Sequence, residues 1–176
     1  LFLLGGSGTG KSTALEHHFL HMPEFQPRVN EYGEEVRPVL SLEAPKPCGP
    51  KDFAVAILGA IGVPSKARQT EAELFATVKT QFRERGIIYL HVDEAQHLRR
   101  NPSSQAILDV QDRIKSLMQI ADWPLHLIFS GVPELADLLK GGDGQVKNRS
   151  MIMRFVPLSM PANRADILRM LTDIVD

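Results

Sequence analysis

Residues 5–12 of the sequence read Gly5-Gly6-Ser7-Gly8-Thr9-Gly10-Lys11-Ser12, directly after the apolar run 1–4 and before a helical pattern of apolar residues. Because glycine has no Cβ, such a stretch lets consecutive backbone N–H groups turn inward around phosphate oxygens, at the positive end of the following helix. Lys11 is expected to reach the β- and γ-phosphates, and the Ser12 hydroxyl to bind Mg²⁺. The stretch therefore predicts a P-loop that binds a nucleoside triphosphate.

Length and composition are typical of one α/β domain. The chain has 176 residues, of which 43% are apolar, and its formal net charge of −1 argues against a free-standing, strongly basic DNA-binding protein. The single cysteine, Cys48, cannot form an internal disulfide, so a reducing, cytoplasmic location is expected. No apolar run approaches the length of a bilayer span. Since the sequence begins without methionine, inside an apparent strand, we expect a fragment that lacks its natural amino-terminal part.

Strand-like apolar runs alternate with helical spacing along the chain. Five strands are predicted, at residues 1–4, 39–42, 87–92, 125–129 and 152–158, with helices between them and after Asn163. A polar stretch at residues 24–37 predicts an exposed hairpin or loop before the second strand. This alternation predicts a doubly wound α/β fold with a parallel sheet.

Helix ends are marked by residues that favour caps and turns. Ser103 or Ser104 is expected to cap the helix before the fourth strand, and Pro133 and Gly141 to bracket a short helix after it. Residues 142–148 are predicted to form a polar loop. Asn163 is expected to cap the last helix.

An acidic pair, Asp93 and Glu94, follows the apolar run of the third strand. Ligands gather at the carboxyl ends of parallel strands, where the P-loop is also expected. Asp93 would hold Mg²⁺ through its water shell, while Glu94 would orient and deprotonate an attacking water. One carboxylate cannot do both. The pair therefore predicts a Walker B element that hydrolyses the bound nucleotide.

Three further polar residues are weaker candidates for the site. Ser130 ends the fourth strand, where it could sense the γ-phosphate or position the water, or merely terminate the strand. Arg149 and Arg154 follow the next helix, and arginine suits the charge that develops on a transferring phosphoryl group. Either arginine could act on the nucleotide of a neighbouring subunit, or be an ordinary surface charge.

Other polar clusters have plainer interpretations beside the functional ones. The histidines at positions 17, 18 and 21 have spacings that could chelate a metal on a helix, but they fit a solvated helix surface better. Gln96 and His97 could couple nucleotide state to a nearby surface, or His97 could simply fill a half-buried position. Basic residues could touch phosphate backbones or be simply solvated: Arg99, Arg100, Lys46, Lys51, Lys66 and Arg68.

The order of these elements resembles the core motifs of bacterial AAA+ ATPases. Four stretches carry the resemblance, which covers nearly the whole chain: Gly5 to Ser12, Ile87 to Glu94, Leu127 to Leu135 and Met153 to Leu158. Within that superfamily, residues 93–98 and the ending Arg154-Phe155-Val156-Pro157-Leu158-Ser159-Met160-Pro161 are similar to transposon-encoded ATPases of the TniB and TnsC kind, which select or license target DNA for a transposase. The same motifs also resemble the ATPase of a type II secretion assembly system.

The resemblance implies a P-loop NTPase fold, a three-layer α/β/α sandwich whose parallel sheet has strand order 5-1-4-3-2. It also implies ATP and Mg²⁺ bound between subunits of a ring or filament. By position Ser130 matches sensor 1, and the arginine finger matches Arg154, which fits the transposon-type ending, or Arg149, which fits the broader superfamily spacing. The residues implied in nucleotide binding are Gly5, Gly6, Ser7, Gly8, Thr9, Gly10, Lys11, Ser12, Thr13 and Asp93, with Ser12 and Asp93 at the metal.

The resemblance also divides the chain. Residues 1–162 would form the AAA+ nucleotide-binding core, and residues 163–176 the start of an incomplete helical lid, because only one helix follows Asn163. Most of the lid, any sensor 2 arginine and the amino-terminal segment that would contact adenine are therefore expected to be missing.

Three functions are compatible with these motifs. The first is an ATPase that regulates DNA transposition, in which ATP drives oligomerisation on double-stranded DNA and hydrolysis dismantles the assembly. The second is a secretion or cell-envelope assembly ATPase, whose full-length form should carry a transmembrane segment and a cell-wall-binding region after the lid. The third is a signalling switch that uses the nucleotide only as a structural ligand, against which Glu94 argues.

Overall fold

The computed structural model describes residues 1–46, 48–98, 104–140 and 144–175. The strands are β1 (Phe2–Leu4), β2 (Arg28–Val29), β3 (Glu35–Val36), β4 (Val39–Glu43), β5 (Tyr89–Asp93), β6 (His126–Gly131) and β7 (Ile152–Arg154). The α-helices are α1 (Lys11–Ala14), α2 (Pro50–Ala60), α3 (Glu71–Glu84), α4 (Ser104–Met118), α5 (Gln145–Asn148) and α6 (Arg164–Val175). A π-helical turn at Leu15–Phe19 follows α1, and 3₁₀ turns lie at Pro23–Phe25, Ala95–Leu98 and Pro133–Leu139.

Some sequence predictions fall outside the described residues. These are the alternative helix cap Ser103, the helix terminator Gly141, the first two residues of the predicted loop 142–148, the basic pair Arg99 and Arg100, and the last residue of the predicted lid.

The main sheet has five strands in the order β4-β5-β6-β1-β7, and all neighbouring pairs are parallel. Counted along the chain without the short hairpin strands, this is the order 5-1-4-3-2, so the predicted fold is confirmed. Leu4 at the end of β1 is aligned with Gly131 of β6 on one side and with Arg154 of β7 on the other. Glu43 of β4 is aligned with Asp93 of β5. The carboxyl ends of all five strands therefore meet at one edge.

Helices cover both faces of the sheet. On one face the larger core lies between the sheet and helices α2, α3 and α4, and includes the fully buried Leu90, Phe82 and Leu117. On the other face Leu3 and Ile128 pack against Leu15, which begins the π-helical turn. Burying a leucine or phenylalanine side chain contributes roughly 1.5–3 kcal/mol, so this core is the main stabilising element. The chain thus forms the predicted three layers.

The hairpin expected before the second predicted strand is present. β2 and β3 pair antiparallel, with Arg28 opposite Val36. The Asn30 side-chain oxygen accepts hydrogen bonds from the backbone N–H groups of Tyr32 at 3.0 Å and Glu34 at 2.9 Å, which closes the turn. The hairpin is separate from the main sheet.

The structure differs most from the predicted elements at β7 and α5. β7 ends at Arg154 instead of reaching residue 158, because its partner β1 turns into the P-loop after Leu4 and leaves no strand to pair with. α5 occupies residues predicted as loop, since four residues with a single apolar side chain, Val146, show no helical period. Asn163 directly precedes α6, and its carbonyl accepts a hydrogen bond from the Ile167 N–H at 3.0 Å, while its side-chain oxygen accepts one from the Ser159 N–H at 3.1 Å.

Within the part of the chain that the structure describes, no helix combines the length and the apolar character that crossing a membrane requires.

Candidate functional site

The P-loop joins β1 to α1 and lies at the carboxyl edge of the sheet. Gly5 N–H donates to the Gly131 carbonyl at 3.1 Å, which ties the loop to the end of β6. Gly8 and Gly10 have positive φ values of 75° and 84°, a region that other residues rarely adopt. A Cβ on Gly5 would lie 2.6 Å from Thr9 Oγ1 and 2.9 Å from Phe155 Cβ. The loop conformation therefore requires these glycines.

Lys11 is the first residue of α1, and its side chain folds back over the loop. Its Nζ donates to the carbonyl oxygens of Gly5 at 2.9 Å and Gly6 at 2.8 Å, and the residue is only 7% exposed. Within the described residues, no carboxylate lies within ion-pair distance of this ammonium group. A buried cation whose partners are neutral carbonyls favours an anion beside it, as a phosphate group would be.

The remaining P-loop residues lie where the sequence placed them. Thr9 Oγ1 donates to the Gly6 carbonyl at 2.9 Å, which tightens the turn. Ser7 and Thr13 are exposed, so their polar groups remain open to a ligand or to water.

Ser12 and Asp93 meet across the site although 81 residues separate them in sequence. Ser12 Oγ donates to Asp93 Oδ2 at 3.0 Å, and Ser130 Oγ donates to Asp93 Oδ1 at 2.5 Å. The backbone N–H of Glu94 donates to the same Oδ1 at 2.9 Å. Mg²⁺ prefers hard oxygen ligands, and here a hydroxyl and a carboxylate lie together beside the P-loop. These residues therefore fit Mg²⁺.

Asp93 is held as a carboxylate by its surroundings. Burial is the largest influence and by itself raises the pKa, but the hydrogen bonds from Ser130, the Glu94 N–H and Ser12 together outweigh it. The net result is a pKa of Asp93 below its ordinary value. The site therefore keeps a negative oxygen ligand at neutral pH.

Glu94 lies at the mouth of the site, with its side chain 42% exposed. Its φ of 50° is unusual for a residue other than glycine and turns the chain sharply after β5. Gln96 Nε2 donates to Glu94 Oε2 at 2.5 Å, and Gln96 Oε1 accepts from the Val132 N–H at 3.3 Å. His97 Nε2 lies 3.9 Å from the same carboxylate oxygen. Glu94 is thus accessible to a water molecule and is oriented by Gln96.

Two polar residues of this network, His91 and Ser41, were not predicted from the sequence. His91 lies within β5 and is only 4% exposed. Its Nδ1 is 2.8 Å from Ser41 Oγ and its Nε2 is 2.8 Å from Ser130 Oγ. Burial lowers the pKa of His91, against the opposing effects of Asp93 and Glu16. The only available signal was a polar residue inside an otherwise apolar buried strand.

The two candidate arginines lie at opposite ends of β7. Arg154 ends the strand opposite Leu4, directly before the P-loop, and is exposed. Arg149 precedes the strand and is also exposed, on the rim of a cavity of about 300 Å³ at the amino-terminal edge. Arg154 is therefore beside this subunit's own P-loop, whereas Arg149 is a whole strand length away.

Two of the histidines after α1, His17 and His21, contact each other. The rings of His17 and His21 stack with centroids 6.0 Å apart. Among the described residues, no group of three or more histidine, cysteine or acidic side chains is placed to hold a metal ion.

The fold is that of a P-loop NTPase of the AAA+ class. Its defining features are the P-loop with its buried lysine, the hydroxyl and carboxylate that face each other, and the parallel sheet of order 5-1-4-3-2. The chain belongs to the AAA domain family, whose model matches residues 1–139. No curated protein matches the sequence significantly.

Solved structures of archaeal proteins share the fold. The Orc1 protein of Aeropyrum pernix in complex with DNA is 25% identical with a TM-score of 0.67, over 98% of this chain and 43% of its own. Cdc6p from Pyrobaculum aerophilum is 17% identical with a TM-score of 0.63, over 90% of this chain and 39% of its own. The Orc2 protein of Aeropyrum pernix, solved in ADPNP-ADP complexes, is 14% identical with a TM-score of 0.59, over 88% and 41%. The present chain thus spans less than half the length of these proteins.

Proposed function

We propose that this chain is the ATP-binding and ATP-hydrolysing core of an AAA+ protein that regulates DNA transposition. ATP binding and hydrolysis are supported by one observation: Lys11, Ser12 and Asp93 lie together, with the accessible Glu94 beside them. The transposition part is supported by the similarity of residues 93–98 and 154–161 to ATPases of the TniB and TnsC kind. Such a protein would recruit a transposase to target DNA and act in the cytoplasm.

Each residue of the site has a role in this proposal. Lys11 exchanges its carbonyl partners for the β- and γ-phosphates of ATP, to which its ammonium group is better matched. Ser12 and Asp93 would hold Mg²⁺, which offsets the phosphate charge when bound. Glu94 accepts a proton from the attacking water, while Gln96 holds its carboxylate in place. Ser130 lies behind Asp93 and keeps it oriented.

Assembly into a ring or filament would complete the site. We propose Arg154 as the arginine finger, on its similarity to the transposon-type ending, with Arg149 as the alternative. Residues 1–162 would be the nucleotide-binding core and residues 163–176 the start of the lid. In α6 the exposed Leu168 is available to pack against further lid helices.

Double-stranded DNA is the proposed surface for assembly. The related Orc1 protein was solved with DNA. In the present chain Lys51 Nζ donates to the Ala67 carbonyl at 3.0 Å, which brings Lys66 and Arg68 beside the first turn of α2. These three residues and Lys46 are exposed. We propose these four basic residues as contacts to a phosphate backbone.

The experiment is a DNA-binding assay on the full-length protein that carries Glu94→Gln. Glutamine retains an oxygen that Gln96 can bond but is a far weaker base, so nucleotide and Mg²⁺ binding should persist while hydrolysis falls by about 100-fold or more. The variant should therefore accumulate on DNA in the presence of ATP and stay there. Glu31→Gln, at an exposed glutamate in the turn of the separate β2–β3 hairpin, is the matched control and should release DNA like the wild type.

A second variant tests the DNA surface separately. Lys66→Ala combined with Arg68→Ala should leave ATP binding unchanged. The two substitutions should also weaken the salt dependence of DNA binding, by about one unit in the slope of log K against log salt concentration for each phosphate contact that is lost. If the wild-type protein hydrolyses ATP but does not bind DNA in an ATP-dependent way, the ATPase assignment stands and the proposed role in transposition is wrong. Loss of nucleotide and Mg²⁺ binding in Glu94→Gln would instead assign Glu94 a structural or metal role.

A further inference from the structure

A continuous line of polar side chains crosses the sheet below the P-loop. It runs from Ser41 on β4 to His91 on β5, then to Ser130 on β6 and back to Asp93 at the end of β5. The three contacts measure 2.8, 2.8 and 2.5 Å. His91 and Ser130 are 4% and 0% exposed, so water does not compete with the bonds that these two side chains make to each other.

The number of available protons fixes the direction of these hydrogen bonds. The Asp93 carboxylate can only accept, so the single hydroxyl proton of Ser130 must point to Asp93 Oδ1. Ser130 Oγ then has only lone pairs to offer to His91, and the 2.8 Å contact requires a proton on His91 Nε2. This conclusion holds whether or not the imidazole is charged.

His91 is therefore the group that fixes the Ser130 hydroxyl. A serine hydroxyl turns freely about its Cβ–Oγ bond. Among the described residues, the Ser130 hydroxyl has Asp93 and His91 as its side-chain partners. With Nε2–H bonded to one lone pair, the hydroxyl proton is restricted to the side of Asp93. Ser41 in turn lies at Nδ1 and holds the ring plane.

We propose that His91 is a positioning residue of the nucleotide site, which orients Asp93 for Mg²⁺ through Ser130. The inference rests on the proposed ATP and Mg²⁺ binding. It assigns Ser130 to the support of Asp93, a role that differs from direct contact with the γ-phosphate. His91 itself touches neither nucleotide nor metal, so its effect must appear in the Mg²⁺ dependence of nucleotide binding and not in nucleotide binding without Mg²⁺.

The test measures the affinity of the full chain for fluorescent ADP as Mg²⁺ is added, against a reference in EDTA. His91→Leu removes the donor while it keeps an apolar side chain in the core, and should raise the Mg²⁺ concentration for half-maximal tightening about three- to tenfold, as expected when one hydrogen bond is removed. His91→Gln can place an N–H near Ser130 and should recover most of the wild-type value. His126→Leu, at an exposed histidine of β6, is the control and should behave as wild type.

A double-mutant cycle tests the route through Ser130. Ser130→Ala should raise the Mg²⁺ requirement by itself, and the addition of His91→Leu should then have no further effect, because the two residues act in series. Additive effects of His91→Leu and Ser130→Ala on the Mg²⁺ requirement would overturn the proposal. Equal increases of this requirement in His91→Leu and His91→Gln would also overturn it, because they would indicate an effect of packing alone. Wild-type protein that does not bind ADP would instead overturn the proposed function.

A measurement without any variant keeps the proposal testable if His91→Leu does not fold. The ¹⁵N spectrum of the imidazoles in the wild-type chain should show His91 protonated at Nε2. A His91 ring with an unprotonated Nε2 would contradict the direction of the hydrogen bonds and overturn the proposal.

Discussion

At the scale of single residues, Lys11 carries the most direct prediction. Among the described residues, its buried ammonium group has the Gly5 and Gly6 carbonyls as partners, and it should exchange them for phosphate oxygens. Lys11→Ala therefore removes a charge-assisted hydrogen bond worth about 1.5–3 kcal/mol, which weakens ATP binding by roughly 10- to 150-fold and abolishes turnover. Isothermal titration with ATP and a steady-state ATPase assay measure the two effects.

Lys147→Ala is the matched control for this substitution. Lys147 is exposed in α5, away from the P-loop, so its removal should leave ATP affinity within experimental error of the wild type. A Lys11→Ala protein that binds and hydrolyses ATP normally would refute the assignment of residues 5–12 as a P-loop.

The residues of the site were predictable where a motif fixes them in sequence. The P-loop and the acidic pair could be found because glycines, lysine and carboxylates stand at spacings that the chemistry of phosphate binding requires. His91 and the link from Gln96 to Glu94 could not, because they depend on which strands are neighbours and on the direction of each side chain. Nor does sequence reveal that Ser130 donates to Asp93, since 37 residues separate them.

At the scale of elements, the start of α3 offers a test of local stability. Thr70 Oγ1 accepts from the Glu73 N–H at 3.3 Å, and the Glu73 carboxylate accepts from the Thr70 N–H at 2.7 Å, which forms a capping box. Thr70→Ala should lower the free energy of unfolding by about 1 kcal/mol, as loss of a threonine cap commonly does. Urea denaturation of the two proteins at neutral pH measures the difference.

The same cap predicts a pH dependence. The hydrogen bond from the Thr70 N–H is the main cause of a pKa of Glu73 below its ordinary value. Because the folded-state pKa of Glu73 is depressed, the stabilisation by its carboxylate is present above the ordinary pKa of glutamate and is lost as the pH falls through the folded-state pKa.

Thr80→Ala, at an exposed threonine in the same helix, is the control for Thr70→Ala and should be neutral or slightly stabilising, since alanine favours helix. Equal destabilisation by both substitutions would contradict the capping role.

Elements were predictable from sequence when they are long or strongly apolar. The helices α2, α3 and α4 and the strands β1, β4, β5 and β6 show clear apolar patterns, and all of them are present. The end of β7 could not be predicted, because it depends on where β1 stops offering a partner. α5 has four residues and no apolar period, and the π-helical turn after α1 keeps the same apolar residues that an α-helix would show.

At the scale of the whole molecule, the strand order determines which residues can serve one site. Because β1 lies between β6 and β7, the P-loop is flanked by the end of β6 on one side and by Arg154 on the other. Arg149, at the opposite end of β7, is separated from this subunit's own site by the length of the strand. A role for Arg149 in hydrolysis therefore requires a second subunit, whereas Arg154 has its own P-loop as a neighbour.

This separation makes the choice between the two arginines testable. Arg154→Ala and Arg149→Ala should each be compared with wild type in the full-length protein, with ATPase rate measured against protein concentration in the presence of DNA. The variant that lacks the finger should fold and bind ATP normally yet lose the rise in specific activity on assembly, because transition-state charge at the shared interface is unmatched. We expect this behaviour from Arg154→Ala, and wild-type behaviour from Arg149→Ala.

Mixing variants distinguishes action between subunits from action within one. Arg154→Ala mixed with Glu94→Gln should recover part of the activity, because some interfaces then combine an intact finger from one subunit with an intact Glu94 from the other. If Arg154→Ala is inactive at every concentration and mixing restores nothing, Arg154 acts on its own P-loop, in keeping with its position opposite Leu4. If neither substitution changes the concentration dependence, or the wild type shows none with DNA present, the intersubunit mechanism is wrong and a monomeric nucleotide switch takes its place.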